Sequence, residues 1–220
     1  RCADGEYSGE GGGVRMSGRS PRWISVKRGT RIGDLPVETV LKFGVDGTPR
    51  EFIIVQQGLP SDIYDASCDG TWLLMKDNFE RHAWNAITSN AYESSTVNDY
   101  LNDSFLYLLD SDVQKIIKQV KVPYHKGEGN TGSVLSGGNG LLCKIFQLSG
   151  YEVGFTSVIN NYIPVAGSVL AYFNGLAAID EKRIAKYNGN ANAWWLRDPY
   201  TGDQPKNEYN SYRGPLTFRE

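Results

Sequence analysis

The sequence predicts an α+β domain with a mixed, mostly antiparallel sheet, two helices and long loops. An Asp-Gly pair at Asp46 and Gly47 separates two β-rich runs within residues 39–55, which is typical of a hairpin. Two segments with apolar residues at helical spacing follow within residues 96–123. The 25 Gly, 13 Tyr and 5 Trp residues in a chain of 220 favour turn-rich β structure with displayed aromatic side chains. This length fits one large domain, or a medium domain with an extension.

Charge and hydropathy exclude several classes of partner. The formal net charge is −2 and the isoelectric point is near 5.8. The chain therefore has no basic excess to neutralise nucleic-acid phosphates or anionic lipid. No stretch approaches the roughly 18 apolar residues of a membrane-spanning helix. The sequence predicts neither nucleic-acid binding nor membrane insertion.

Residues 1–28 form a predicted Gly-rich arm or linker, and residues 29–220 form the predicted domain. Glycines recur in the arm, at Gly9, Gly11, Gly12, Gly13 and Gly18. The arm has almost no apolar periodicity, so it cannot bury a core of its own. We expect it to become ordered against a neighbouring subunit, which implies a homo-oligomer. The alternative is a mobile tail.

The first elements of the domain are predicted to be strands. A two-residue Asp-Gly loop between β-rich runs predicts a type I′ hairpin over residues 39–55. Residues 70–76 are apolar and continuous enough for a third strand in the sheet interior. Asp69 and Gly70 supply the entry turn of this strand.

Two amphipathic helices are predicted next. Thr96 and Asp99 are spaced as in a capping box, and apolar residues then recur three and four positions apart up to Leu109. Asp110 or Ser111 is expected to cap a second helix, which Pro123 ends. The apolar stripe of this helix is Val113, Ile116, Ile117 and Val120, and its lysines are Lys115, Lys118 and Lys121. We expect the lysines to form a solvated face.

The later part of the domain is predicted to alternate loops with short elements. Residues 126–140 are mostly Gly, Ser, Thr and Asn, which favours a long surface loop. The expected short elements are strands over residues 141–148, 183–187 and 216–218, and a short helix over residues 166–175. Trp194 and Trp195 would lie on opposite faces of an extended segment, so one is expected in the core and the other partly exposed.

Residues suited to catalysis are few. His82 and His125 are the two histidines, and neither lies in a nucleophile elbow or a metal-spaced cluster. Cys2, Cys68 and Cys143 form no CxxC pair, so three separate thiols are expected, with a bridge between Cys2 and Cys68 left open. No phosphate-binding glycine loop is present. We predict that the protein is not an enzyme and needs no cofactor.

Residues 197–212 are predicted to form a polar loop that strands hold at both ends. Tyrosines give such a loop a large contact area at low entropy cost, and asparagines adapt their hydrogen bonds. The predicted ligand-binding residues are Arg197, Asp198, Tyr200, Gln204, Asn207, Tyr209, Asn210 and Tyr212. The alternative is an ordinary polar loop. A calcium site on Asp198, Asp203 and Glu208 is disfavoured because the ligand order of an EF-hand is absent, so no metal is predicted.

Four long motifs carry a family resemblance. They are YDASCDGTWLLMKD at residues 64–77, IKQVKVPY at residues 117–124, CKIFQLSGYEVG at residues 143–154 and WWLRDPYTG at residues 194–202. Over about residues 29–218, the chain resembles a family of uncharacterised domains from prophages and phage tail modules of gut bacteria. That family is similar to the C-type-lectin-like fold of retroelement-diversified phage adhesins and formylglycine-generating enzymes.

The resemblance implies a display region after residues 194–197, closed by a terminal strand. In this chain the closing strand, residues 211–218, has Arg213 and Gly214 out of the usual order of that family. The calcium-ligand triplets of C-type lectins are absent, and no cysteine follows Cys143. The resemblance therefore implies neither calcium-dependent sugar binding nor the oxidase chemistry of the enzymes with this fold.

The residues and the resemblance together predict a tail-associated phage virion protein that presents its C-terminal loop to a host-surface glycan or protein. Its other expected partners are virion or tail proteins. We expect it to be made in the host bacterial cytoplasm and to be located in the virion tail. The alternative is a structural virion protein, such as a decoration or baseplate part, with no host ligand.

Overall fold

The computed structural model describes residues 30–85, 91–126, 133–155, 165–175 and 181–198, and the backbone of four further strands. The strands are β1 Val14–Met16, β2 Arg22–Ile24, β3 Thr39–Val45, β4 Thr48–Gln57, β5 Thr71–Met75, β6 Arg81–Ala83, β7 Val120–Val122, β8 Tyr124–His125, β9 Val134–Leu135, β10 Leu141–Cys143, β11 Ala185–Tyr187, β12 Asn190–Asn192, β13 Tyr209–Ser211 and β14 Pro215–Phe218. The helices are α1 Thr96–Tyr100, α2 Leu106–Leu108 and α3 Ser111–Ile116. The described strand pairs are antiparallel, so the predicted α+β class is confirmed.

Six strands form the main sheet, in the order β14-β5-β4-β3-β1-β2. The predicted hairpin is confirmed as β3 and β4, with Val45 opposite Thr48. Asp46 and Gly47 have φ angles of 50° and 66°, and a type I′ turn requires positive φ at both of its central positions. The predicted third strand is confirmed as β5, and all five of its residues are buried.

Two strands of the predicted arm belong to this same sheet. Arg15 in β1 lies opposite Trp23 in β2, and on its other side opposite Val40 in β3. The boundary predicted between residues 28 and 29 therefore separates strands that pair within one chain. Ordering of the arm against a neighbouring subunit stays a prediction. The rest of the arm lies outside the described residues.

Two strands return from the C-terminal end of the chain. β14 pairs with β5, with Leu216 opposite Leu73, which confirms the strand predicted for residues 216–218. β13 pairs with β6, with Asn210 opposite His82. The loop predicted for residues 197–212 is thus shorter than expected, because β6 offers backbone partners to Tyr209–Ser211.

The first predicted helix is present, but its cap and its interior differ from the expectation. The N-cap is Ser95, one residue earlier than predicted, and its Oγ accepts from the backbone N–H of Asn98 at 3.2 Å. A π-helical segment, Leu101–Phe105, joins α1 to α2. The predicted apolar face is confirmed at Val97, Leu101 and Phe105, which are fully buried.

The second predicted helix ends earlier than expected. α3 stops at Ile116, and Val120 lies in β7, opposite Cys143 in β10. A strand partner from later in the chain thus decides the conformation of residues 120–122. Asp110 is the N-cap residue of α3, as predicted, but its side chain makes no capping hydrogen bond. Its carboxylate instead accepts from the backbone N–H of Gly44 at 3.1 Å. This hydrogen bond ties the start of α3 to the β3–β4 hairpin.

Several later elements are shorter than predicted. The loop expected over residues 126–140 contains β9, which pairs with β8, and a 3-10 turn at Gly137–Asn139. The helix expected over residues 166–175 is a 3-10 turn at Ala171–Phe173. The strand expected over residues 141–148 is limited to β10. The strand expected over residues 183–187 is confirmed as β11, which pairs with β12.

The core lies on both faces of β4 and β5. Ile53, Val55, Trp72 and Leu74 belong to one buried cluster, together with Phe146 and Leu148. The alternate residues Phe52, Ile54, Leu73 and Met75 belong to a second cluster, which the helices cover. Full burial of each such side chain stabilises the fold by roughly 1.5–3 kcal/mol. Cys68 and Cys143 are buried free thiols, as predicted for these two, and Cys2 lies outside the described residues.

Candidate functional site

Arg197 lies in the interior, and its side chain is fully buried. Its guanidinium donates to both carboxylate oxygens of Glu152, at 2.6 Å each. It also donates to the backbone carbonyls of Pro123 at 2.8 Å, Gln147 at 2.9 Å and Ala166 at 2.7 Å. These bonds use all five N–H groups that an arginine carries. The expectation that Arg197 is an exposed ligand contact is therefore wrong.

Glu152 is held in place by a turn and by a tyrosine. The backbone N–H of Ser149 donates to Glu152 Oε2 at 2.9 Å, and Ser149 Oγ accepts from the backbone N–H of Glu152 at 3.0 Å. This is the reciprocal pairing of a capping box. The hydroxyl of Tyr64 donates to Glu152 Oε1 at 2.7 Å and accepts from the backbone N–H of Ser168 at 3.0 Å. Both carboxylate oxygens are thus fully satisfied.

The buried carboxylate of Glu152 affects the pKa values of both Arg197 and Tyr64. Burial is the largest single influence on the pKa of Arg197 and acts to lower it. The charge and hydrogen bonds of Glu152, with the nearby Asp198 and Tyr64, together raise the pKa above its ordinary value. Burial, and then the charge of Glu152, raise the pKa of Tyr64. Arg197 therefore stays charged and Tyr64 stays protonated at neutral pH. A bidentate, fully hydrogen-bonded pair of this kind fixes geometry and leaves no donor for an external ligand.

Asp198, the residue that follows Arg197, is bonded to the same turn. The backbone N–H of Gly150 donates to Asp198 Oδ2. Asp198 Oδ1 is buried and has no hydrogen-bond partner within the described structure. Burial raises the pKa of Asp198 to about 7, although the charge of Arg197 acts in the opposite direction. Its carboxyl group therefore faces the interior.

The other predicted ligand-binding residues are described only in part. The backbone of Tyr209 lies opposite Ala83, and that of Asn210 lies opposite His82. Tyr200, Gln204, Asn207 and Tyr212 lie outside the described residues. The structure thus brings Arg197 and Asp198 together at the turn of residues 149–152, and it places Tyr209 and Asn210 on β13. Ligand binding by these residues stays a prediction.

The two tryptophans before Arg197 pack into different clusters. Trp194 contacts the cluster that contains Trp72, and its indole N–H donates to the carbonyl of Arg183 at 2.9 Å. Trp195 lies 5.4 Å from the ring of Trp84, and its indole N–H donates to the carbonyl of His82 at 3.0 Å. Both are half-buried. The prediction of one core and one partly exposed tryptophan is therefore confirmed only in part, because both residues are partly exposed and neither is fully in the core.

An open cleft of about 440 Å³ lies beside this segment. Its lining is mostly apolar and includes Phe155, Trp194 and Leu196. The guanidinium carbon of Arg183, another lining residue, lies 4.9 Å from the centre of the Phe155 ring. These residues come from three separated parts of the chain, so no local sequence signal points to the cleft.

Residues suited to catalysis are dispersed in the described structure. His82 stacks on Tyr100 with ring centres 4.6 Å apart, and His125 is buried in β8. Burial raises the pKa of Cys68 to about 12 and also raises the pKa of Cys143. In the described parts of the chain, no group of three or more His, Cys, Asp or Glu side chains is placed to hold a metal ion.

Among the residues that the structure describes, no helix has the length and apolar character needed to cross a bilayer.

The sequence interpretation missed Glu152 as the partner of Arg197, and Tyr64 as a donor to Glu152. Part of the signal was present, because Ser149 and Glu152 have the S-x-x-E spacing of a capping box. That spacing predicts the turn but not the ion pair. Glu152 and Arg197 are 45 positions apart, so only the folded chain brings them together.

The fold and the site define an α+β domain organised around a buried ion pair between Arg197 and Glu152. Residues 69–217 match the family described as Domain of unknown function (DUF6273), and the chain belongs to that family. The match includes both residues of the ion pair. No solved structure matches the chain.

Proposed function

We propose that this chain is a binding domain of a phage particle, with a C-type-lectin-like fold, that presents residues 199–212 to a ligand on the host surface. The proposed ligand is a surface glycan or protein. The proposal also includes a position in the virion tail, contacts with other virion or tail proteins, a homo-oligomeric state, and synthesis in the host bacterial cytoplasm. The mostly antiparallel sheet with a closing C-terminal strand supports the fold assignment.

The observation that carries the proposal is that the described residues on both sides of residues 199–208 are anchored. Before this segment, Arg197 has all five donors bonded, and Asp198 accepts from Gly150. After it, β13 pairs with β6, and β14 pairs with β5. Binding residues are commonly carried on segments that a rigid scaffold positions. A segment anchored in this way can change in sequence without changing the core.

The buried ion pair changes the proposed role of Arg197. We assign it a positioning role, because its guanidinium bonds four separate parts of the chain and has no N–H group left for a ligand. The proposed contact residues are Tyr200, Gln204, Asn207, Tyr209, Asn210 and Tyr212. Tyrosine is among the residue types that dominate interface energies, so the tyrosines are the expected anchors.

Alanine substitution of these tyrosines tests the proposal. Tyr200→Ala, Tyr209→Ala and Tyr212→Ala are compared with Tyr107→Ala, which removes a tyrosine of α2 that is 71% exposed. At least one of the three is expected to weaken adsorption to host cells by about 2 kcal/mol, roughly 30-fold in affinity, with an unchanged melting temperature. Tyr107→Ala should leave adsorption unchanged. Unchanged adsorption by all three folded variants would overturn the proposal and favour a structural virion protein.

A further inference from the structure

Three buried residues have no hydrogen-bond partner, within the described structure, for any polar atom of their side chains. The atoms are Trp84 Nε1, both ring nitrogens of His125, and both amide atoms of Gln147. These residues are 6%, 1% and 0% exposed. Burial of a polar group without a partner costs free energy, and native proteins satisfy nearly all such groups with protein or ordered water. A bound molecule is therefore expected to supply the hydrogen bonds of these atoms.

Trp84 and Gln147 meet at the same tyrosine. The rings of Trp84 and Tyr92 have centres 5.6 Å apart. The backbone N–H of Gln147 donates to the hydroxyl of Tyr92 at 2.8 Å. Both residues thus lie against Tyr92, which is itself fully buried.

His125 is connected to this region through Arg197. The carbonyl of Pro123, two residues before His125, accepts from Arg197 Nε at 2.8 Å. The carbonyl of Gln147 accepts from Nη1 of the same guanidinium at 2.9 Å. The chain segments that carry His125 and Gln147 therefore meet at one side chain.

The unsatisfied atoms offer donors and acceptors together. An indole N–H only donates, a carboxamide donates and accepts, and a neutral imidazole has one donor and one acceptor nitrogen. A metal ion would leave the indole N–H without a partner, and a carboxylate would leave the Gln147 oxygen without one. Water both donates and accepts, and a buried water typically makes about three hydrogen bonds.

We propose that Trp84, His125 and Gln147 form an interior hydration site that holds a small group of ordered water molecules. About two or three molecules are enough to reach the five unsatisfied atoms. The site lies next to Trp195 and Arg197. The bound water would therefore support the start of the C-terminal segment. This inference does not depend on the proposed function.

The direct test is a high-resolution crystal structure of the full chain. We expect separate density peaks of water size within hydrogen-bond distance of Trp84 Nε1 and the Gln147 amide, and of at least one nitrogen of His125. Dry density at these atoms would overturn the proposal. A single continuous peak larger than water would also overturn it, because it would identify a different ligand.

A pair of substitutions gives an independent test in solution. Gln147→Met keeps the side-chain volume and removes the amide that the water would bond. We expect its melting temperature to fall by about 2–4 °C, because the water and its other partners lose hydrogen bonds. A melting temperature above that of the wild type would overturn the proposal, because removal of a dry, unsatisfied amide stabilises a core.

Trp84→Phe removes the indole N–H that is expected to bond water. Trp195→Phe is its matched control, because it removes an indole N–H that bonds the protein. The indole of Trp195 donates to a protein carbonyl, so its loss should lower the melting temperature whether or not water is present. With bound water, Trp84→Phe should lower the melting temperature as Trp195→Phe does. A decrease in Trp195→Phe together with an increase in Trp84→Phe would contradict a hydrated site.

Discussion

The position of Arg197 shows that the surroundings of an arginine decide its role. In the sequence, Arg197 precedes a run of polar and aromatic residues, which favours a surface contact. In the structure, it bonds Glu152 and three backbone carbonyls in the interior. Residue type was therefore informative about hydrogen-bonding capacity but not about exposure. Exposure depends on which distant segments cover the side chain, and no local pattern contains that information.

Loss of the Arg197 charge should strongly destabilise the fold. Arg197→Met leaves the buried Glu152 carboxylate without its cation, and breaking a buried ion pair from one side costs about 3–5 kcal/mol. Chemical denaturation measures the free energy of unfolding. The control is Lys115→Met, which breaks the ion pair with Asp112, where the two side chains are 71% and 90% exposed. That pair should contribute almost nothing, because solvent screens it.

A second substitution separates lost charge from lost packing. Adding Glu152→Gln to Arg197→Met removes the unpaired carboxylate and should restore part of the stability. A loss below about 1 kcal/mol for Arg197→Met alone would show that the buried ion pair does not hold this region together.

Asp198 should make stability depend on pH near neutrality. The pKa of its carboxyl is about 7 in the folded chain, raised from 3.8 mainly by burial. Between pH 3.8 and about 7, the folded state keeps a proton that the unfolded state has released. The free energy of unfolding therefore falls as pH rises, and this contribution is fully lost above about pH 7. Melting temperatures from pH 4 to 8 should show this fall in the wild type and a smaller one in Asp198→Asn. Equal pH profiles for the two proteins would refute a raised pKa.

Local turn chemistry explains which elements were predictable. The β3–β4 hairpin was predicted from its Asp-Gly pair, whose backbone conformation is set within two residues. The β11–β12 hairpin has an Asn-Gly pair at its turn, but only its first strand was predicted. The end of α3 was not predictable in the same way. Residues 120–122 form a strand and not a helix because β10 pairs with them. Their partner β10 begins at Leu141, far along the chain. Pairing between distant strands overrides helical spacing at such positions.

The hairpin turn gives a sharp test of this local argument. Gly47→Ala places a side chain at φ 66°, in the left-handed region that disfavours residues with a Cβ, and should cost about 1 kcal/mol. Gly138→Ala is the control, because no atom lies within 4 Å of the added Cβ and its φ is outside that region. Thermal unfolding should show a lower midpoint for Gly47→Ala and no loss for Gly138→Ala. Equal midpoints would contradict a strained turn.

For the whole chain, much of the architecture was predictable from the sequence, whereas the buried ion pair was not. The sequence was sufficient for the α+β class, the apolar β5 at the sheet interior and the closing strand β14, because these depend on apolar patterning. It was not sufficient for the addition of β1 and β2 to the sheet, because their pairing is not visible in a Gly-rich composition. The buried ion pair joins segments from across the chain, and only the complete fold assembles it.

The proposed function requires that the scaffold be independent of the segment it presents. Replacement of residues 199–208 by a Gly-Ser linker of equal length, in a chain that keeps Asp198 and β13, tests this requirement most directly. We expect the melting temperature to stay within about 2 °C of the wild type, because the buried ion pair and the strands β13 and β14 are retained. Adsorption to host cells should be weakened, because the variant lacks three of the six proposed contact residues, Tyr200, Gln204 and Asn207. A folded variant that adsorbs as the wild type does, or a variant that no longer folds, would contradict the proposal.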